Sequence, residues 1–92
     1  MHPEMARRVK KMGNPIVSVD LHGMFREDAV KAIDRALKAA DDSTYQIKLI
    51  HGYNRGTSLK NMIMDEYRYH PKVLRVVPGD NLGITVLVLR EL

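Results

Sequence analysis

Cysteine and tryptophan are absent from the 92 residues, and phenylalanine occurs once. The lack of cysteine excludes a disulfide framework, a thiolate nucleophile and Cys-ligated zinc. With so few aromatic residues, a core has to be built from Val, Ile, Leu, Met and Ala. No uninterrupted apolar stretch approaches the ~20 residues that a membrane-spanning helix needs. The N-terminus carries charge but lacks the apolar stretch of a secretory signal, so a cytoplasmic location and no membrane partner are expected. Nor does charge of one sign dominate. The net charge is +4, but Arg7, Arg8, Lys10 and Lys11 form one short run, and without that run basic and acidic residues are equal in number.

An apolar fraction of 45% and a charged fraction of 28% are ordinary for a globular protein, and the length suits one small domain. Residues 1–14, with Pro3, Gly13 and the basic run, lack sustained periodicity and read as a basic, flexible N-terminal arm. The domain proper is expected over 15–92. I-V-S-V-D-L (16–21) is a β-branched run that predicts a strand. Val30, Ile33, Leu37 and Ala40 recur at helical spacing and predict a helix over 26–40, with Glu27 and Asp28 at the positive end of its dipole. Q-I-K-L-I (46–50) predicts a second strand. A second helix, capped by Thr57 or Ser58, presents Leu59, Met62, Ile63 and Tyr67 inward and closes at His70-Pro71, because proline disfavours helical geometry in the residue before it. Strands are then predicted over 73–77 and 83–89 around a Pro78-Gly79-Asp80-Asn81 turn. The unbroken apolar run Val86–Leu89 predicts a strand covered on both faces or lying centrally. The order β-α-β-α-β-β implies a two-layer α/β sandwich: a mixed four-stranded sheet, its last two strands a hairpin, with both helices on one face.

Chemistry is concentrated where the first two strands end. Asp20 and His22 are two residues apart, so both should project from one face. His51 follows the second strand directly, and parallel pairing would bring all three groups to the edge where open α/β sheets place their ligands. A carboxylate beside two imidazoles can orient one ring while one serves as base and the other as acid, with the assignment between His22 and His51 open. The same three side chains could form a two-His-one-carboxylate metal set, although no acidic cluster accompanies them as two-metal phosphodiester chemistry would want. The loop H51-G-Y-N-R-G-T-S58 leads into a helix N-terminus, whose N–H groups and dipole favour phosphate. Gly52 and Gly56 permit unusual backbone angles, Asn54 tolerates the left-handed region, and Arg55 and Lys60 add positive charge. Tyr53 offers a ring for base stacking. His70 reads as structural, and His2 carries no argument.

V19-D20-L21-H22-G23 resembles the Asp-Leu-His-Gly motif of Smr (small MutS-related) domains. I50-H51-G52, followed by Gly56, Thr57 and Leu59, resembles that family's His-Gly loop, and G83-I84-T85-V86 resembles its closing strand. The resemblance covers about 15–92. It departs at Asn54, where the family has a second loop glycine, in a loop one residue longer before Leu59, and at Lys60, where arginine is frequent. The resemblance implies a fold like the C-terminal domain of translation initiation factor three. It also implies an endonuclease, nicking DNA in some members and cleaving RNA in others, including messages on stalled ribosomes; with the acid/base constellation above, metal-independent cleavage without a cofactor is expected. The motif residues fall on Asp20, His22, His51 and Gly52. The expected partner is RNA or DNA, and the residues expected to hold it are Gly23, Gly52, Tyr53, Asn54, Arg55, Gly56, Thr57, Ser58 and Lys60. A module that binds nucleic acid or the ribosome without cleavage is the alternative.

Overall fold

The computed structural model describes residues 15–53 and 58–91. Strand β1 (Ile16–Asp20) lies at one edge of a four-stranded sheet of order β1-β2-β4-β3, with β2 at Gln46–Ile50, β3 at Arg75–Pro78 and β4 at Ile84–Val88. β1 pairs with β2 in parallel, while β4 runs antiparallel to both β2 and β3. The mixed sheet and terminal hairpin are those expected. β4 is an interior strand, and Thr85, Val86, Leu87 and Val88 are all buried, which accounts for the continuous apolar run.

Helices α1 (Arg26–Ala39) and α2 (Ser58–Tyr67) cover one face of the sheet and share one core with it. Glu27 and Asp28 occupy the first turn of α1 and Lys38 the last, each with the sign that complements the helix dipole. The buried stripe of α1 is Ala29, Ile33 and Leu37, with Val30 half-buried. Ala40, expected on that face, is instead the C-cap in extended conformation, and Asp41 turns the chain by accepting from the backbone N–H and hydroxyl of Ser43 at 2.9 and 2.6 Å. α2 buries Leu59, Met62, Ile63 and Tyr67, the four residues its spacing points to. The Tyr67 hydroxyl donates to the Asp34 carboxylate at 2.7 Å and joins the two helices. Leu21, Ile33, Ile47, Leu49, Ile63 and Leu87 form the fully buried centre.

β3 begins two residues later than expected. Val73 is buried, but its N–H donates to the His70 carbonyl in the preceding turn; bonding to β4 begins with Leu74 N–H on the Val88 carbonyl, and the paired register begins at Arg75. Register fixes where the first two strands end. Asp20 lies beside Ile50, and Leu21 N–H donates to the Ile50 carbonyl at 2.7 Å, so β1 and β2 end side by side.

Candidate functional site

The chain after β1 turns sharply. Met24 N–H donates to the Leu21 carbonyl at 3.0 Å, and Gly23 sits at φ 76°, in the left-handed region open to glycine. Leu21 is driven into the core, while Asp20 and His22 are left outside, 58% and 72% exposed at their side chains. The Asp20 carboxylate accepts from the His22 backbone N–H at 3.1 Å and from His22 Nδ1 at 2.6 Å. The side-chain bond from His22, then the backbone bond, hold the Asp20 pKa below the ordinary 3.8. A carboxylate can only accept, so Nδ1 carries the hydrogen. In the neutral ring Nε2 then carries the lone pair.

His51 behaves differently. It is 7% exposed, with Nδ1 at 3.0 Å from the Gly52 carbonyl and Nε2 at 2.8 Å from Thr85 Oγ1. The carbonyl can only accept, so Nδ1 donates to it, and in a neutral ring Nε2 accepts from the Thr85 hydroxyl. The backbone N–H groups of His51 and Gly52 both donate to the Gly83 carbonyl, at 2.9 and 3.0 Å. These bonds fix Gly52 at φ 78°, with a Cβ at that position falling 3.5 Å from the His22 Cβ. Gly52 therefore stands against His22, and the His51 imidazole lies behind it as a brace on the loop.

Two His-Gly turns abutting at the exit of parallel strands, on a β-α-β-α-β-β sandwich, match a known pattern. The Smr domain profile matches residues 19–90. The chain belongs to the Smr domain family. Its Smr domain superposes on the crystal structure of the Smr domain of Thermus thermophilus MutS2 with a TM-score of 0.73 and 26% identity, covering 82% of this chain and 99% of that one. It is also similar to Endonuclease MutS2 of Clostridium botulinum (strain 657 / Type Ba4), at 33% identity over 82 residues. That match covers 79% of this chain and 10% of the relative, so this chain spans about a tenth of the relative's length.

Of the other candidate residues, Tyr53 is exposed after β2, Ser58 is exposed at the start of α2, and Lys60 is half-buried in its first turn. Asn54, Arg55, Gly56 and Thr57 lie outside the described residues, as does the N-terminal arm. Among the described residues, no three His, Cys, Asp or Glu side chains come together as a metal set. Both ring nitrogens of His51 are taken up inside the fold. A groove of about 610 Å³, lined by Pro15, Ile16, Tyr45, Gln46, Arg75 and Val88 among others, opens at the opposite end of the strands and has no part in this edge. Sequence reasoning left Thr85 without a role. As the lone polar residue in I-T-V-L-V, it carried a signal: a hydroxyl inside a continuous apolar strand needs a partner.

Proposed function

We propose that this Smr domain is a nucleic-acid endonuclease whose base is His22, held by Asp20, and which works without a metal. The observation that carries the reading is the 2.6 Å contact between Asp20 and His22 Nδ1 at an open sheet edge. It fixes the tautomer that directs the basic Nε2 outward, as general-base catalysis requires. On RNA, Nε2 takes the proton of a 2′-hydroxyl whose oxygen attacks the adjacent phosphorus. The bond to the 5′-oxygen breaks, that oxygen takes a proton from water, and a 2′,3′-cyclic phosphate remains. On DNA, the same nitrogen takes a proton from a water whose oxygen attacks phosphorus; one P–O ester bond breaks, and its leaving oxygen takes a proton from a second water. Charge on the phosphorane is met by Lys60, by Arg55 and by the N–H groups of Gly23 and of the start of α2. His51 is a positioning residue here, setting Gly52 against His22 through its bonds to Gly52 and Thr85.

A second reading, a module that grips nucleic acid or the ribosome without cutting it, is favoured by one observation: His51 is buried with both ring nitrogens engaged, leaving His22 as the imidazole at the edge. Incubation with labelled single- and double-stranded RNA and DNA, with and without EDTA, separates the two. The endonuclease reading expects product in EDTA on at least one substrate. Salt-sensitive binding with no product under any metal condition establishes the binding module instead.

A further inference from the structure

One face of the sheet carries neither α1 nor α2. The core that both helices share with the other face includes neither Val86 nor Val88, although these are buried, at 7% and 5% exposure. Both belong to β4 and alternate with Thr85 and Leu87, so they look out on the helix-free side. Register gives that side a row across all four strands: Ile16 beside Gln46, Gln46 beside Val88, and Val88 beside Arg75. The groove of about 610 Å³ follows this row and is walled at its β1 end by Pro15. Pro15, Ile16, Tyr45 and Val88 make it apolar. Its two cations are already matched, Arg75 by Glu91 and Arg90 by Asp42, so it offers no unpaired charge to an anionic ligand.

The chain reaches this groove from one end. Pro15 is both its wall and the residue that 1–14 lead into, and Ile16 beside it is 47% exposed. Before Pro15, Met5, Val9 and Met12 stand four and three residues apart, the spacing of anchors on a helix laid in an apolar groove. Arg7, Lys10 and Lys11 fall on the opposite side of such a helix. Gly13 and Asn14 separate that run from Pro15. Proline keeps the residue before it out of helical geometry, and glycine turns at little steric cost, so the chain can double back there. The lengths agree. Three strand spacings make the row about 14 Å long, and residues 3–12 as a helix span about 15 Å.

We propose that the segment before Pro15 docks in this groove as an amphipathic helix, with Met5, Val9 and Met12 against Ile16, Tyr45 and Val88. It forms a third layer on the helix-free face and keeps its basic side in solvent. A run this short is marginally helical by itself, and burial of one apolar side is what stabilises it. Tethering favours this occupant over a second copy of the chain, because an attached segment has a high effective concentration at the groove whatever the protein concentration.

The test uses the full chain. It has no cysteine, so Lys10→Cys carries a single nitroxide on the side of the segment turned from the groove. Paramagnetic broadening of backbone amide signals then maps where the segment lies. Any tethered segment broadens Ile16, so the deciding amide is Arg75, at the far end of the row. Gln46, Val88 and Arg75 should broaden more than Lys31 and Arg35, on the exposed side of α1. Adding Val9→Asp should restore the Arg75 signal, whereas Val9→Ile, which keeps an apolar anchor, should leave it broadened. Equal broadening on the two faces, or a pattern unmoved by Val9→Asp, overturns the proposal. A second sample mixes nitroxide-bearing chain without isotope label and isotope-labelled chain without nitroxide. Broadening of Arg75 in that mixture assigns the groove to a second copy and overturns the proposal as well; an unbroadened Arg75 there, with broadening in the first sample, supports it.

Discussion

The division of labour between the two His-Gly turns depends on a few atoms. Asp20→Asn removes the carboxylate that fixes the His22 tautomer and should cut cleavage at least tenfold while lowering the melting temperature only slightly, because both side chains are exposed. The depressed Asp20 pKa adds a pH signature. A carboxyl whose folded pKa lies below its unfolded value stabilises the fold above the unfolded pKa, and that contribution is lost as pH falls through the folded value. The Asp20–His22 contact should therefore persist down to the ordinary 3.8 and dissolve below it, and a carboxyl NMR titration of Asp20 should show its midpoint below 3.8. A midpoint at or above 3.8 contradicts the contact. Thr85→Val keeps the shape of the side chain but strips the buried His51 Nε2 of its donor. It should cost about 1–3 kcal/mol, seen as a lower midpoint in urea. Asp20 and His22 were legible in the sequence because residues two apart at a strand end meet through local geometry alone. The burial of His51 was not, because it depends on Thr85 across the sheet, and no local pattern states which strand lies beside β2.

At the scale of elements, both helices and the four strands follow from periodicity, and the misplaced boundaries have local causes. Ala40 ends α1 because the Asp41 side chain offers Ser43 a competing turn. β3 starts late because the turn claims Val73. Ala29, in place of Ala40, completes the buried stripe of α1 with no exposed surface, a position where a larger side chain would overpack. The helix pair itself is joined by Tyr67 and Asp34. Tyr67→Phe should lower stability by about 1 kcal/mol, measured by denaturant titration, and leave cleavage unchanged. Burial first, then the bond to Asp34, push the Tyr67 pKa above the ordinary 10. A raised pKa contributes stability that is complete below the unfolded value and is lost as pH rises through the folded one. The tyrosine absorbance titration should accordingly show one hydroxyl ionising well above 10, and Tyr67→Phe should remove that step.

For the whole molecule, topology gathers the chemistry. Parallel β1 and β2 end together, and antiparallel β4 brings the hairpin to the same edge, so three connections distant in sequence meet around one exposed imidazole. The sequence motifs located that edge and the family fold, but not the exposure of Phe25 and Leu82 in its connections, which is set by the finished fold. No described helix is long and apolar enough to cross a membrane. The central claim is that His22, oriented by Asp20, cleaves a phosphodiester without metal. It is tested most directly by incubating labelled RNA with the wild-type chain and with His22→Ala in EDTA and analysing the product ends. The account predicts 2′,3′-cyclic phosphate termini from the wild type and a rate lower by about 10²–10⁴ in the variant. Equal cleavage by the variant, or wild-type cleavage that appears only when a divalent metal is restored, would contradict it.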